Sequence, residues 1–289
     1  MTRMSNNLND ALGKVYLIGA GPGAADLITV RGAKLLAQAD IVFHDALVGP
    51  EMLDLCPQAI QVAVGKRCGK LSSAQHFINK RLVDAAQKYQ TIVRLKGGDP
   101  MLFGRADEEI TAIKEAGIAV EVVPGITAAL AGAASLQQSL TLRGISRSVA
   151  FVTLSQGTEN IPDNQSIAPT SNPNADTLVY YMGRKDAARI SQQLIKKNTG
   201  GLIKHNPDTP VHILEAVSTR HERHWTSTLK ELAAGKVDSW FDSNSPALIM
   251  IGEALRNHSA NSQNLEGPGS EIDNGLQDSQ VITHSARRA

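Results

Sequence analysis

Short apolar runs that end in glycine, aspartate or proline alternate with amphipathic segments through the first half of the chain. Four of these runs are residues 15–18, 41–43, 91–95 and 120–123. Runs of this length are typical of buried strands, and the segments between them have the apolar spacing of helices. The alternation predicts an α/β fold, in which a mostly parallel sheet is covered by helices on its faces.

A proline and a glycine mark the start of the second half of the chain, which contains two polar segments. Pro124 and Gly125 follow the fourth run, and the small-residue segment 127–135 is predicted to be a tightly packed helix at a domain junction. Residues 156–176 are rich in Asn, Pro and Ser and are predicted to form an exposed loop. Residues 256–289 are polar and are predicted to be a disordered tail.

The charge balance and the cysteine content exclude several classes of protein. Lys and Arg number 29 against 28 Asp and Glu, so no general attraction to nucleic acid or to a membrane surface is expected. The 2 cysteines form no CxxC pair and no cluster with histidine, so no metal site is predicted. The low cysteine content and the polar residues 1–10 predict a cytoplasmic chain without a signal peptide.

The first predicted strand leads into a glycine-rich loop that reads GAGPGA at residues 19–24. This loop satisfies the dinucleotide-binding pattern, and Asp40 lies at about the spacing of the acid that holds the ribose. Pro22 argues against a pyrophosphate site, because proline lacks the backbone N–H that would bind a phosphate oxygen. The loop by itself is compatible with a plain turn, a dinucleotide site or a site for another ligand.

Three further features follow predicted strands: Asp45, the sequence GGDP at residues 97–100, and the sequence PGITA at residues 124–128. Because ligands of open α/β sheets bind at the carboxyl ends of the strands, these features predict a ligand site at that edge. Asp45 and Lys66 each follow an apolar run, and they form either a surface ion pair or an acid/base pair.

Basic residues recur near these strand ends. Most are expected to lie on a solvated face, and any that converge would suit a substrate with several carboxylates. The residues are Lys66, Arg67, Lys70, Arg94, Lys96, Arg105, Arg143, Arg147, Arg184 and Lys185.

The separate motifs occur together, and in the same order, in one known family. From about residue 13 to residue 255 the chain resembles the uroporphyrinogen-III C-methyltransferases, through VYLIGAGPGAADLITVRG, ADIVFHDALV, VGKRCGK, VRLKGGDPMLFGR, VVPGITAA, LVYYMGRKD and SPALIMIGEA. The resemblance implies a homodimer with the two-domain tetrapyrrole methylase fold. A parallel-sheet domain at residues 13–124 and a mixed-sheet domain at residues 125–255 would enclose the cofactor cleft.

The resemblance also implies a reaction and the residues that serve it. Two molecules of S-adenosylmethionine (SAM) would in turn methylate carbons of uroporphyrinogen III, giving precorrin-2 for sirohaem or cobalamin and leaving S-adenosylhomocysteine (SAH). Asp45 and Lys66 match the family's proton acceptor and donor. The matching cofactor-binding positions are Pro22, Gly97, Gly98, Asp99, Leu102, Thr127, Ala128, Met182 and Val217.

The chain departs from the family pattern at two positions. Val217 stands where some relatives carry a cofactor-binding glycine, and residues 140–144 read LTLRG where some relatives carry LTHRD. No segment resembles the additional domain that performs oxidation and iron insertion, so a single activity is expected.

Other functions stay open at this point. They are methylation of a later corrin intermediate, methylation of protein or ribosomal RNA, a nicotinamide-dependent oxidoreductase, and a SAM-binding regulator without catalysis. The DALV and VGKR sequences favour uroporphyrinogen III over other methyl acceptors. Pro22 disfavours the oxidoreductase, and the presence of both Asp45 and Lys66 disfavours the regulator.

Overall fold

The computed structural model describes residues 12–64, 71–154, 173–196 and 205–256. A first sheet contains five strands, β1 (Lys14–Gly19), β2 (Ile41–His44), β3 (Ile60–Ala63), β4 (Thr91–Lys96) and β5 (Val120–Val123). Their order across the sheet is β3-β2-β4-β1-β5, and every pair is parallel. The parallel α/β sheet predicted from the alternating pattern is therefore confirmed.

Helices cover both faces of this sheet because its strands are apolar on both sides. The intervening helices are α1 (Val30–Leu36), α2 (Pro50–Leu53), α3 (Leu71–Ala86) and α4 (Ala106–Glu115). Val15 and Leu17 of β1 pack in the cluster that includes residues of α3 and α4. Ile18 packs on the opposite face with Leu36 and Met52 of α1 and α2. The short helix α2 was not expected from the sequence pattern.

A second sheet is mixed. Its strands are β6 (Val149–Thr153), β7 (Thr177–Tyr181), β8 (Pro210–Glu215), β9 (Arg223–Thr228) and β10 (Ala247–Ile251), in the order β6-β7-β10-β8-β9. Only β6 and β7 are parallel, and the other pairs are antiparallel. A mixed second sheet is what the resemblance implied.

Three helices accompany the second sheet: α5 (Ala128–Ser135), α6 (Ala187–Lys196) and α7 (Leu229–Ala233). One apolar cluster joins a face of the sheet to α6 and α7, and another joins the opposite face to α5. Helix α5 is the predicted small-residue helix, and it begins five residues after β5 ends. It therefore carries the chain from the carboxyl edge of the first sheet directly to the face of the second.

The described residues between 12 and 256 belong to one compact unit that contains both sheets. The division into domains at residues 13–124 and 125–255 stays a prediction. The polar loop predicted at residues 156–176 and the tail predicted at residues 256–289 lie almost entirely outside the described residues. Within the described ranges, no helix is long and apolar enough to cross a membrane.

Two histidines on neighbouring strands of the second sheet form a stacked pair. The Nε2–H of buried His212 donates to the carbonyl of Leu255 at 2.9 Å, and its Nδ1 lies 3.2 Å from Nε2 of His224. The rings are stacked with centroids 5.4 Å apart. Burial lowers the pKa of His212, and the proximity of His224 lowers it further, against the opposing effect of the Leu255 hydrogen bond.

We expect the stability of the fold to fall with pH in the range where histidine protonates. The folded pKa of His212 is below the unfolded value of about 6.5, so between the two values the unfolded state binds more protons, and stability is lost as pH drops through about 6.5. His205, whose pKa burial also lowers, adds to the loss. Unfolding midpoints in urea, measured from neutral to mildly acidic pH, test this.

The matched comparison is His212→Gln, which keeps a donor for Leu255, against His76→Gln at an exposed position on α3. The His212 variant should flatten the pH dependence, and the His76 variant should leave it unchanged. Equal pH dependence in both variants and in the unchanged protein would contradict the role given to His212.

Candidate functional site

The carboxyl ends of β1 and β4 are joined through their backbones. The N–H of Gly98 donates to the carbonyl of Gly21 at 2.6 Å, and the N–H of Gly21 donates to the carbonyl of Gly98 at 3.2 Å. Both glycines have positive φ, 77° for Gly21 and 69° for Gly98. This conformation strains residues with a Cβ, so glycine is required for the two loops to pair in this way.

The loop after β5 packs directly on this glycine pair. A Cβ at Gly125 would lie 2.3 Å from the carbonyl oxygen of Gly98, and a Cβ at Gly19 would lie 2.6 Å from the Cα of Gly125. The carboxylate of Asp99 holds the contact, because its Oδ2 accepts from the N–H of Gly125 at 2.8 Å. Its Oδ1 accepts from the N–H of Met101 at 2.8 Å. Asp99 therefore fixes the loops after β4 and β5 to each other.

The first loop also contacts the second sheet. A Cβ at Gly23 would lie 2.5 Å from Cγ2 of Thr219, and the N–H of Ala24 donates to Oγ of Ser218 at 3.1 Å. Pro22 lies half-buried between Gly21 and Gly23, with one neighbour paired to the β4 loop and the other packed on the loop after β8. Pro22 is thus held between the two sheets.

Val217 is accommodated where some relatives carry glycine. It is 5% exposed and packs in the apolar cluster beneath α5. The positive φ angles of this loop fall on its neighbours, 50° at Ala216 and 62° at Ser218. Val217 itself has ordinary backbone geometry, so the valine causes no backbone strain. Its buried side chain contributes apolar surface, and its carbonyl faces Gly23.

A tyrosine links the start of α5 to the end of β7. The hydroxyl of Tyr181 lies 2.5 Å from Oγ1 of Thr127, and it accepts from the N–H of Ala129 at 3.1 Å. The ring of Phe103, from the loop after β4, lies 5.1 Å from the Tyr181 ring. Residues of three separate segments therefore meet at one point between the sheets.

The remaining predicted cofactor positions lie beside this contact. Leu102 precedes Phe103 and is half-buried, and Ala128 is the first residue of α5. Met182 follows Tyr181 with φ of 56° and is 55% exposed. Gly97 adjoins the side chain of Leu47, and the position that a Cβ of Gly98 would occupy has no atom within 4 Å. Open space therefore lies next to the backbone at Gly98, and whether the other predicted positions line it stays a prediction.

Tyr181, Ser218 and Phe103 were not among the predicted site residues. Tyr181 lies in the YYMG sequence next to Met182, so its sequence position carried a signal. Ser218 and Phe103 became evident only from their contacts across the chain, with Ala24 and Tyr181 respectively.

Asp45 follows β2 and is bound by a buried arginine of the neighbouring strand. The Nη2 of Arg94 donates to Oδ1 of Asp45 at 2.5 Å, and the Asp45 side chain is 30% exposed. The Nε of Arg94 donates to Oε1 of Glu109 on α4 at 3.1 Å. Lys96 donates to both oxygens of Glu109 at 3.0 Å. Lys66, the residue expected to pair with Asp45, lies outside the described residues.

Arg94 and Lys96 correct the expectation of a solvated or substrate-binding basic face. Both are almost fully buried, and both are paired with Glu109, which is 0% exposed. Burial opposes the charge of Arg94, but the carboxylates of Asp45 and Glu109 outweigh burial and raise its pKa. Burial and the neighbouring Arg94 lower the pKa of Lys96. These two cations are therefore unavailable to a substrate.

The dinucleotide interpretation of the first loop is wrong. Asp40 lies at the amino end of β2, at the sheet edge opposite the glycine loops. Its Oδ2 accepts from the N–H groups of Gln90 and Thr91 at 3.0 and 2.8 Å. A carboxylate at that edge cannot reach a ribose bound at the carboxyl ends of the strands.

Among the described residues, no group of three or more His, Cys, Asp and Glu side chains could hold a metal ion.

The chain is similar to known proteins over most of its length. Residues 14–233 match the family described as Tetrapyrrole (Corrin/Porphyrin) Methylases. A sirohaem synthase of Pseudomonas putida (strain W619) is 40% identical over 247 residues, which are 84% of this chain and 50% of that protein. The chain spans about half the length of the curated relatives it matches.

Solved structures cover a similar extent. A uroporphyrin-III C-methyltransferase from Thermus thermophilus, complexed with SAH, is 35% identical with a TM-score of 0.68, over 84% of this chain and 94% of that chain. A cobalt-precorrin-4 methyltransferase of cobalamin biosynthesis is 25% identical with a TM-score of 0.66, over 88% of this chain and 100% of that chain.

We expect Gly125→Ala to disrupt the junction of the three loops. The added methyl group would overlap the carbonyl of Gly98, so the loops must separate, at an expected cost of about 1–3 kcal/mol in the free energy of unfolding. Binding of SAH, measured by calorimetry, should weaken at the same time.

The control is Gly132→Ala in α5, where a Cβ would make only ordinary contacts at 3.5–3.7 Å. This variant should be at least as stable as the unchanged protein, because alanine favours the helix. Unchanged SAH affinity in Gly125→Ala would show that the loop junction does not shape the ligand site.

Proposed function

Because the chain belongs to the tetrapyrrole (corrin/porphyrin) methylase family, we propose that it is a uroporphyrinogen-III C-methyltransferase. Its substrates are SAM and uroporphyrinogen III, and its product after two methyl transfers is precorrin-2. The observation that carries the proposal is the match to the Thermus thermophilus enzyme, which is 35% identical over 94% of that chain. The relatives named sirohaem synthases support a place in sirohaem formation.

SAM supplies an electrophilic sulfonium methyl group. In each transfer, the electron pair of a pyrrole carbon forms the new C–C bond, the C–S bond breaks with its pair on sulfur, and the substrate releases one proton. The contribution of the protein is to hold the two reacting atoms in line and to exclude water from them. The loops after β1, β4 and β5 suit this task, because they are fixed to one another by backbone contacts.

The residues around the open space fit SAM by their chemistry. The space beside Gly98 allows close approach to the backbone, and Met182 and Leu102 offer apolar surface. Val217, whose side chain is buried, would contribute through its backbone. Thr127 and Ala128 contribute the start of α5, and Pro22 bounds the space from the first loop. Gly97 and Asp99 complete the wall, the latter by fixing the loop through its carboxylate.

Asp45 is proposed to accept the proton that the substrate releases. Its carboxylate is partly exposed at the carboxyl edge of the first sheet, and one of its oxygens is held by Arg94. Lys66 is proposed as the proton donor on the grounds of the family pattern alone. Substrate carboxylates would bind exposed basic residues such as Arg143, Arg147 and Lys185, since Arg94 and Lys96 are engaged in the core.

Assembly and location are also proposed from the family. A homodimer is proposed because the resemblance implies one, and a cytoplasmic location is proposed from the low cysteine content. No role for nucleic acid or a membrane is proposed.

One alternative has an observation in its favour. The cobalt-precorrin-4 methyltransferase matches over its whole length with a TM-score of 0.66. The same site could therefore methylate a later corrin intermediate, using SAM in the same way. The higher identity to the Thermus thermophilus enzyme, 35% against 25%, favours uroporphyrinogen III.

The direct test is anaerobic incubation of the purified protein with SAM and uroporphyrinogen III, followed by mass spectrometry and absorbance of the product. We expect a gain of two methyl groups and the formation of two equivalents of SAH. SAH binding without any methyl gain would contradict the proposed substrate and would favour the later corrin intermediates.

Asp45→Ala should lower methyl transfer by about 10²–10⁴-fold, the usual contribution of a positioned proton acceptor. SAH affinity should stay nearly unchanged, because the loops that form the cofactor wall do not depend on this side chain. The control is Asp54→Ala at an exposed position after α2. Unaltered turnover in Asp45→Ala would remove Asp45 from the mechanism.

A further inference from the structure

We propose that Arg94 is a positioning residue for methyl transfer, which fixes the carboxylate of Asp45 at the edge of the cleft from within a buried ion-pair network. The inference rests on the proposed function, because it assigns Arg94 a role through the proposed proton acceptor. The sequence motifs assign Arg94 no part in positioning Asp45, and Arg94 is not among the predicted cofactor-binding residues.

The network lies where a strand normally carries apolar residues. Arg94 and Lys96 are two residues apart on β4, so their side chains lie on the same face of the sheet, toward α4. Glu109 of α4 faces them, and Gln75 of α3 donates to its Oε1 at 3.3 Å. Every one of these residues is buried. Apolar residues commonly replace buried ion pairs without loss of stability, so stability alone does not account for this group.

The charges of the network balance only when Asp45 is included. Lys96 and Glu109 form a neutral pair by themselves, with two hydrogen bonds at 3.0 Å. Arg94 adds one further positive charge to the core, and Asp45 supplies the matching negative charge from the cleft edge. An uncompensated buried charge is costly, so Arg94 and Asp45 are coupled electrostatically.

The guanidinium holds Asp45 in a defined orientation because all of its nitrogens are engaged. Nε donates to Glu109, and Nη1 donates to the carbonyls of Phe43 and Leu95 at 3.3 and 3.1 Å. The planar group is thereby fixed, and Nη2 is aimed at Oδ1 of Asp45. A lysine has no such fork and could not make these contacts together.

Arg94 leaves one carboxylate oxygen of Asp45 for the substrate. Within the described ranges, Oδ2 of Asp45 accepts no hydrogen bond, whereas Oδ1 is bound by Arg94. The backbone N–H of Asp45 donates to the carbonyl of Leu95 at 3.3 Å, so main chain and side chain are both anchored on β4. Oδ2 is therefore presented at a fixed place beside the loop that follows β4.

The test is a double-mutant cycle between Arg94→Met and Asp45→Ala, with kcat, KM and SAH affinity measured for each protein. Arg94→Met keeps the Lys96–Glu109 pair intact. We expect it to lower kcat by about 10- to 100-fold, the effect of misplacing a reacting group, while SAH affinity stays within about twofold. In the Asp45→Ala background, the same change should alter kcat by less than about twofold, because its effect passes through Asp45.

Lys96→Met is the matched control. It removes the other buried cation from Glu109 and is expected to lower stability comparably, yet it does not contact Asp45. It should retain most of kcat. Equal losses of kcat in Arg94→Met and Lys96→Met, or an undiminished effect of Arg94→Met in the Asp45→Ala background, would overturn the proposal by showing a purely structural role.

Two further results keep the proposal testable. If Arg94→Met does not fold, Arg94→Lys preserves the charge without the fork and should also lower kcat, and full activity of this variant would contradict positioning by the guanidinium. If the unchanged protein does not methylate uroporphyrinogen III, the proposed function fails. Crystal structures of the unchanged protein and the Arg94 variant then decide whether the Asp45 carboxylate depends on Arg94, and an unmoved carboxylate would overturn the inference.

Discussion

Contact between the glycine backbones of three strand ends is the constraint on which the rest of the site depends. Gly98 pairs with Gly21 on one side, and Gly125 packs against Gly19 and the Gly98 carbonyl on the other. A Cβ at this junction would separate the loops, and the carboxylate of Asp99 could then no longer reach the next loop. The wall proposed for the cofactor is therefore held by the sheet itself, which would give the precision that in-line methyl transfer requires.

The second sheet completes the site through a small number of specific contacts. Ser218 receives a hydrogen bond from Ala24, and the Tyr181 hydroxyl joins the start of α5 to the end of β7. Because α5 begins just after β5, it transmits the position of the first sheet's edge to the face of the second. Segments from both halves of the chain are thus joined, although Ala24 and Ser218 are far apart in sequence.

The charged groups of the first sheet are paired in its buried interior, and one of them, Asp45, is partly exposed at its carboxyl edge. Glu109 pairs with two cations inside the core, and Asp45 supplies the second negative charge at the edge of the sheet. This arrangement keeps Arg94 and Lys96 from binding an anionic substrate. It also couples an acidic group at the edge to helix α4, so that the orientation of one carboxylate is decided by packing in the interior.

The local pattern of the sequence determined the strands, the longer helices, the parallel first sheet and the loops at its carboxyl edge, because apolar periodicity and glycine placement act over a few residues. It did not indicate the short helix α2. The sequence could not decide whether the GAGPGA loop is a plain turn, a dinucleotide site or a site for another ligand. That Asp40 lies at the opposite edge of the sheet follows only from the fold of the chain. Nor could the sequence show that Arg94 is buried, because the Glu109 that pairs with it is brought there by α4. The contact between Ala24 and Ser218 spans 194 residues. Which polar groups meet was decided only by the tertiary structure, because burial and charge compensation depend on partners that are distant in sequence.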